Sequence, residues 1–574
     1  MRKVEKQNTG SDSGRTALGF RKATWRTNIN SHKGFTHDSI DSLGYDWERI
    51  ANPSIKPGFP LKVYLPQTTD DIVKIVKEVK SLGEHLSIRS AGHSSNNLVL
   101  NPGGSVLVTR ELNKIVEIDE DNMTATVQAG MISAQLDDRL STRGIGLPII
   151  GDHNHITVGG FASVGGISPA SHRFGLFVDT IERIEYVNWD GEVITASRTE
   201  NPEQFYAVLT GRGQHGVIAT ITVKIIKIDK YTTVLKNNEK HYFDLPSFIK
   251  GAGATIRNPG DALYERGVWL NYPLPGDRSI GVGQFSAYHA TGQTGWAKAR
   301  DYASYTYLDG LGWAADHIPT EVGAALKLAG MLGVVMSPQY ATVKNVEFFT
   351  DKVLDSMVGD PTRMFIILAP LDRFDTVFQS AYDLMLEFRE KHHCFTFLSV
   401  YVKSIHSPYL AQGGPNDRFC ELMFYNGIDN AGMTSAVTEE LVNRFDDIVI
   451  ANQGFRYMHS LTSSDPERRR KVDPNVYYSS RVPSEDYTAH QEVRDPQTTT
   501  RRIPFGSSGP EETIAFDDEA WRLVASLLKS EGAQGSIYVS ASSPGKEAEL
   551  YSAIRQLVSH HAFNIDFGPA GHAP

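Results

Sequence analysis

A chain of 574 residues is too long for one compact domain and implies roughly two to four. Its hydrophobic share of 40% and charged share of 22% are ordinary for a soluble globular protein. A net charge of −10 argues against the basic surface that nucleic acids and anionic membranes require, and fits a protein that handles small molecules; a monomer or homodimer is a separate expectation.

Residues 1–45 are polar and rich in Ser, Thr, Asn and Gly, a lead-in without the apolar core of roughly 7–15 residues that marks a secretory signal. The expected location is therefore cytoplasmic or otherwise soluble. From Leu61 the pattern becomes regular. Leu61–Pro66 reads as a strand, Asp70–Lys80 as a helix behind Thr and Asp caps, and His85–Arg89 as a strand. Ser105–Thr109, Ile115–Ile118 and Ala125–Ala129 are further strands, followed by a helix at Ser133–Arg143 and a glycine-rich stretch over 144–175. Ile181–Trp189 is a strand ending in a hairpin turn at Asp190-Gly191, and Val217–Lys227 a last long strand.

Beyond residue 228 helices (Gly295–Leu308, Thr350–Met357, Phe374–Lys391, Thr434–Phe445) alternate with strands (Arg363–Leu368, Thr396–Val402, Cys420–Tyr425), which suggests a second domain of sheet plus helices. Val322–Met336 reads as a buried helix, and no run reaches the ~18 apolar residues of a membrane span. Pro483–Glu512 reads as a linker or surface excursion. A helix (Asp517–Lys529), a strand (Ser536–Ser540) and a helix (Gly545–Ser559) close the chain. The two cysteines, Cys394 and Cys420, exclude a disulfide framework or thiolate metal cluster, and Cys420 reads as a buried thiol in a strand.

Four segments carry chemistry. Arg89-Ser-Ala-Gly-His-Ser-Ser-Asn-Asn97 follows a strand, and its small residues form a nest of backbone N–H groups suited to a phosphate, with His93 in the middle. Gly151–Ile167 strips the backbone of bulk over a path that suits a large planar ligand. Ser171–Gly175 is the third. Gly211–Ile218, the fourth, contains G-x-G-x-x-G, but a helix precedes it and a strand follows. That is the reverse of the Rossmann order, so a nicotinamide dinucleotide is rejected.

Ser90-Ala-Gly-His-Ser94, Pro102-Gly-Gly104, Asp152 before Thr157-Val-Gly-Gly160, Gly166-Ile-Ser168, His172-Arg-Phe-Gly175 and Gly213-Gln-His-Gly-Val-Ile218 resemble, in order and spacing, the FAD domain of cytokinin dehydrogenases. Those enzymes sit in the vanillyl-alcohol-oxidase-like, PCMH-type superfamily of FAD-linked oxidases. The resemblance is strong over Leu61–Lys227 and fades beyond. It implies an α+β fold, with a two-lobed PCMH-type FAD-binding domain over 46–228 and a substrate domain over 229–450 built on an antiparallel sheet flanked by helices. A return segment over 451–482 and a C-terminal extension of unknown role over 483–574 complete the expected organisation.

By the same resemblance Arg89, Ser90, Ala91, Gly92, His93, Ser94 and Asn97 hold the pyrophosphate. Thr157, Gly159, Gly160, Ala162, Ser163, Gly165, Gly166 and Ile167 run along the flavin and ribityl chain, and Gly213, Gly216, Val217 and Ile218 meet the cofactor from the other side. His93 matches the histidine bonded to the flavin 8α-methyl. The second link of berberine-bridge-type enzymes needs a cysteine where His155 stands, so a doubly linked flavin is excluded. Asp152 matches the catalytic aspartate five residues before Thr157; a carboxylate in a partly dry pocket has a raised pKa and accepts a proton near neutral pH.

Phe455–His459 with Asp465–Arg470 and Asp473–Asn475 resembles the closing segment that returns to the flavin, which puts Tyr457 and His459 at the pocket, Tyr457 as a catalytic candidate. The Gly-Gln near the chain end of cytokinin dehydrogenases is missing, which leaves the substrate open. Tyr401, Lys403, Glu421 and Tyr425 alternate with apolar neighbours and offer one face of the substrate sheet. The expectation is an FAD-dependent oxidoreductase acting on an alcohol, amine or activated C–H and reoxidised by O2 or another acceptor. A sugar, alditol or lactone oxidase, or a flavin-scaffolded cyclase or isomerase, are the alternatives.

Overall fold

The computed structural model describes residues 43, 46, 60, 62–101, 104–153, 156–274, 278–291, 339–347 and 362–482. The helices expected at 295–308, 322–336 and 350–357, nearly all of the lead-in, and every expectation beyond residue 482 lie outside them.

The first helix, Thr69–Ser81, forms where the sequence places its cap: the Thr68 hydroxyl accepts the Asp71 N–H while Asp71 reaches back to the Thr68 N–H. Such a cap contributes about 1 kcal/mol. Ile72, Ile75, Val76 and Val79, at helical spacing, bury against Leu86, Leu107 and Val217. Lys62–Tyr64, Ser105–Val108 and Leu86–Arg89 form a three-stranded parallel sheet in that order. A five-stranded antiparallel sheet follows, in the order Ile115–Asp119, Thr124–Gln128, Val217–Lys224, Ile181–Val187, Val193–Ser197. The hairpin turns at Asp190-Gly191, where Gly191 has φ +72. The strand expected to run through Lys227 breaks at Ile225, and Ile226–Lys227 pairs instead with Ile145–Gly146.

The rest of the described chain builds an eight-stranded antiparallel sheet. Its order is Tyr340–Thr342, Val234–Tyr242, Arg278–Ala290, Tyr264–Leu274, Phe395–His406, Arg418–Ile428, Thr362–Pro370 and Phe455–Arg456. Helices Leu245–Arg257, Phe374–His392 and Ser435–Ala451 cover one face. Side chains alternate across the sheet as the pleat requires. Phe365, Ile367, Leu422 and Phe424 join Phe248, Phe378 and Phe445 under the helices, while Met364, Ile366, Met423 and Tyr425 face the other way, into the core shared with the first half of the chain. Each large side chain buried there contributes roughly 1.5–3 kcal/mol.

The two halves are also joined by charge. Lys230 and Lys344, both fully buried, share Asp137: Lys230 Nζ stands 2.9 Å from Asp137 Oδ1 and 2.7 Å from Glu347 Oε1, and Lys344 Nζ 2.5 Å from Asp137 Oδ2. Cys394 and Cys420 are buried, and burial pushes their thiols up to about 11 and about 12. No helix among the described residues is long and apolar enough to cross a membrane.

Candidate functional site

The loop after strand Leu86–Arg89 turns back over its own arginine. Gly92 has φ +79, and a Cβ there would sit 2.8 Å from Arg89 Cζ, so only glycine fits. Burial lowers the Arg89 guanidinium to about 10, opposed by Asp46. Far along the chain the return segment clips this loop in place: Ser95 N–H donates to His459 O at 2.8 Å and Asn96 Nδ2 to Met458 O at 2.5 Å.

The second glycine-rich segment starts beside Asp152. Val158 N–H donates to Met131 O and Gly159 N–H to Ala129 O, both at 2.8 Å, and a Cβ on Gly159 would stand 2.7 Å from Ala129 Cβ. Thr157 caps the short helix Val158–Ala162 by accepting from Gly160 N–H at 3.1 Å. The fourth segment lies against the end of that helix, with Thr210 N–H donating to Ala162 O at 2.9 Å and Arg212 N–H to Ser163 O at 3.0 Å. The helix–loop–strand order read from the sequence holds, with helix Pro202–Val208 before and strand Val217–Lys224 after.

These segments share one cavity. Of the anticipated residues, Ser90, Ala91, Gly92, His93, Ser94, Asp152, Thr157, Gly159, Gly160, Ser163, Ile167, Gly213, Gly216, Ile218 and Tyr457 line it. Arg89, Asn97, Ala162, Gly165, Gly166 and Val217 do not line it: they form the layer behind, Asn97 through an N–H bond to Asp46 Oδ2 at 2.9 Å and Gly165 and Gly166 through backbone bonds to Val178 and Phe177. The third segment, Ser171–Gly175, stays outside the lining, and His172 Nε2 meets Ala262 O at 2.9 Å. Asn154 and His155 lie outside the described residues.

The sheet supplies the opposite wall through Met364, Ile366, Glu421, Met423 and Tyr425. Their period of two was legible only for Glu421 and Tyr425; Met364 and Ile366, like Leu98, Val99, Thr109 and Ala129 in the first half, carried no chemical signal.

Lys403 and Glu421 stand opposite each other in register, with Nζ 2.8 Å from Glu421 Oε2. The same ammonium reaches across to Asp152 Oδ2 at 2.6 Å, while Asp152 Oδ1 is buried with no hydrogen-bond partner among the described residues. Burial opposes the charge on Lys403, but Asp152 and Glu421 outweigh it and raise its pKa above the ordinary range. Burial raises Glu421, with Lys403 pulling it back.

Two of the histidines around this centre, His459 and His215, are held neutral. Burial, with His153 and Lys403 adding to it, takes His459 down to about 3; burial and Arg212 take His215 to about 4. The His93 ring lies 4.7 Å from that of His153, tilted by 42°. Tyr457 accepts Gly166 N–H at 2.9 Å, and burial raises its phenol pKa. Arg212, on the cavity wall, is bound to Asp473, with both side chains 7% exposed. Among the described residues no group of His, Cys, Asp and Glu is arranged to hold a metal.

Comparison with known proteins gives the cavity a context. Residues 60–197 match the family model of the FAD binding domain. An uncharacterized oxidoreductase of the fasciation locus of Rhodococcoides fascians is 31% identical over 166 residues, 29% of this chain and 37% of that protein. Cytokinin dehydrogenase 2 of Arabidopsis thaliana is 30% identical over 224 residues, 39% of this chain and 43% of its own length. (R)-6-hydroxynicotine oxidase of Paenarthrobacter nicotinovorans is 31% identical over 160 residues, 28% and 34%. The chain thus aligns with less than half the length of each of these relatives.

Proposed function

From an FAD-binding domain of the FAD-linked oxidase superfamily in residues 60–197, we propose that this chain is an FAD-dependent oxidoreductase acting on an alcohol, amine or activated C–H of a small organic molecule. The single observation that carries it is the cavity, which joins the family's domain to a carboxylate-bearing sheet. Six glycines line that cavity, Gly92, Gly151, Gly159, Gly160, Gly213 and Gly216, so backbone can approach an extended ligand closely. Buried polar atoms with no partner among the described residues surround it: Ser94 Oγ, Asp152 Oδ1, His215 Nε2 and His459 Nδ1. Both features fit a dinucleotide with polar groups along its length.

In this reading residues 46–228 hold FAD and the sheet of 229–450 covers the reacting end, with 451–482 closing over both. Bound FAD supplies a two-electron acceptor for hydride, and O2 or another acceptor reoxidises it. Asp152 Oδ1 takes the proton from the substrate N–H or O–H. Glu421 accepts a second hydrogen bond from the same substrate, and Met364, Ile366 and Met423 exclude water from the wall they form. His93 lines the cavity where the resemblance places a covalent anchor.

A sugar, alditol or lactone oxidase is the second reading, favoured by the Lys403–Glu421 pair, which suits a polyhydroxylated substrate. Purification with a visible spectrum, then anaerobic mixing with panels of amines and of sugars and lactones, tests both. Flavin bleaching by one panel is expected, slowed by roughly 10²–10⁴-fold in Asp152→Asn. Bound flavin that no member of either panel bleaches would support a cyclase or isomerase instead, and a protein that binds no FAD would end the reading.

A further inference from the structure

Among the described residues, Lys403 is the one side chain that bonds to both carboxylates of the cavity. It is 3% exposed, fixed by its strand directly opposite Glu421, and reaches over to Asp152, which is 251 positions away in sequence. Its ammonium donates to Oδ2 of Asp152 and to Oε2 of Glu421, leaving Asp152 Oδ1 as the carboxylate atom without a partner among the described residues. Two carboxylates around one ammonium leave a net charge of −1 in a buried place.

We propose that Lys403 is a positioning residue: it holds Asp152 ionised and pinned by Oδ2, so that Oδ1 alone is left to receive the substrate proton. This rests on the reading of Asp152 as the base. The physical reason is the cost of burying like charges. Two neighbouring carboxylates in a dry site share a proton unless a cation offsets them. With the ammonium present, the pair faces a compensating charge and Asp152 Oδ2 is held in place. A proton on Asp152 would turn an acceptor into a donor and remove the base.

The other groups facing the three are few. Tyr401 shares the Lys403 strand and Arg266 stands on the strand paired with it, with Asp152 and Arg266 both felt at Tyr401. Tyr425 lies along the Glu421 strand. Tyr457 and His459 come from the return segment, and His153 stands beside Asp152. Burial keeps His459 and Tyr457 uncharged, and Arg266 is a second cation nearby. Lys403 is bonded to both carboxylates, so it is the group whose loss the pair would feel.

The test compares the full-length wild-type protein with Lys403→Met and Lys403→Arg, without flavin and after adding FAD. In Lys403→Met the carboxylate pair takes up a proton near neutral pH, and its titration moves up by about 1–3 pH units. Infrared difference spectra between acid and neutral pH should show a protonated carboxyl persisting to higher pH in this variant, and its Tm should fall more steeply than wild type as pH rises. Lys403→Arg should restore the wild-type pH dependence, a recovery that lost packing alone would not give. If Lys403→Met does not fold, Glu421→Gln/Lys403→Met, with one buried carboxylate fewer, takes its place against Glu421→Gln. Parallel Tm–pH curves and no persisting carboxyl band overturn the proposal. Failure to bind FAD overturns the functional reading instead, and the flavin-free measurements still decide the role of Lys403.

Discussion

The Arg212 guanidinium grips Asp473 with two parallel hydrogen bonds, Nη1 to Oδ1 at 3.1 Å and Nη2 to Oδ2 at 2.5 Å, although the two residues are 261 positions apart. Arg212 lines the cavity and Asp473 belongs to the segment that closes it, so the pair joins the glycine-rich wall to the end of the described chain. Asp473→Ala leaves a buried guanidinium without its anion. The expected loss is about 3–5 kcal/mol of unfolding free energy, with weaker retention of added FAD. Denaturant unfolding measures the first and equilibrium dialysis the second. A loss under about 1 kcal/mol would put the pair with surface ion pairs.

Tyr457 was anticipated as a catalytic candidate, and the structure gives its hydroxyl a further task as acceptor for Gly166 N–H. Tyr457→Phe keeps the ring and removes the acceptor, leaving a buried amide unpaired at a cost of about 1–3 kcal/mol. The variant should unfold at lower denaturant concentration. If it instead matches wild-type stability while losing flavin reduction, the hydroxyl acts on substrate alone.

His93→Ala should release flavin from the denatured chain if the bond to the 8α-methyl exists. The measurement is the visible spectrum of the acid-precipitated protein, wild type against variant. A wild-type precipitate without colour would assign His93 to the wall of the cavity only.

Two buried groups predict opposite responses to pH. Burial pushes the Glu265 carboxyl up to about 7, with Ser404 opposing it. Its folded value lies above the unfolded one, so its contribution is complete in acid and is lost as pH rises toward and past 7. Glu265→Gln should therefore raise Tm at pH 8 and change it little at pH 5. His459 sits at about 3, below the unfolded value, so its contribution is complete above about 6.5 and is lost as pH falls toward 3. His459→Asn should flatten the acid limb of the Tm–pH curve. Slopes with the reverse signs would show that neither side chain is buried as described.

Most of the first half was legible because its signals are local. Thr68 with Asp71 announces a helix start, and a β-branched strand after G-x-G-x-x-G rules out the Rossmann order within a dozen residues. In the second half, strands Val234–Tyr242, Tyr264–Leu274 and Arg278–Ala290 and helix Leu245–Arg257 were not anticipated. The reason is visible at three glycines that read as strand breakers. A Cβ on Gly267 would stand 2.7 Å from Phe285, and one on Gly283 would meet Phe248 at 2.6 Å and Trp269 at 2.8 Å; Gly281 likewise lies under Trp269. Aromatic rings from the helix and neighbouring strands need those bare positions. Gly251 and Gly253 blur helix Leu245–Arg257 in the same way, lying against Tyr242 and Phe374. The Asp152–Lys403–Glu421 contact was half legible: the alternation in the strands was readable, but the pairing depends on sheet register and on how the halves dock.

The hydrogen bond from Asn96 to Met458 spans 362 positions. During synthesis the glycine-rich wall emerges long before the strand and return segment that complete it, so the nascent first half has no lid over its apolar lining. Loop closure over that distance makes the final enclosure a late, slow event. A cofactor captured before that point would be sealed in by the remaining chain, whereas one arriving afterwards would have to enter a room whose door is already hung.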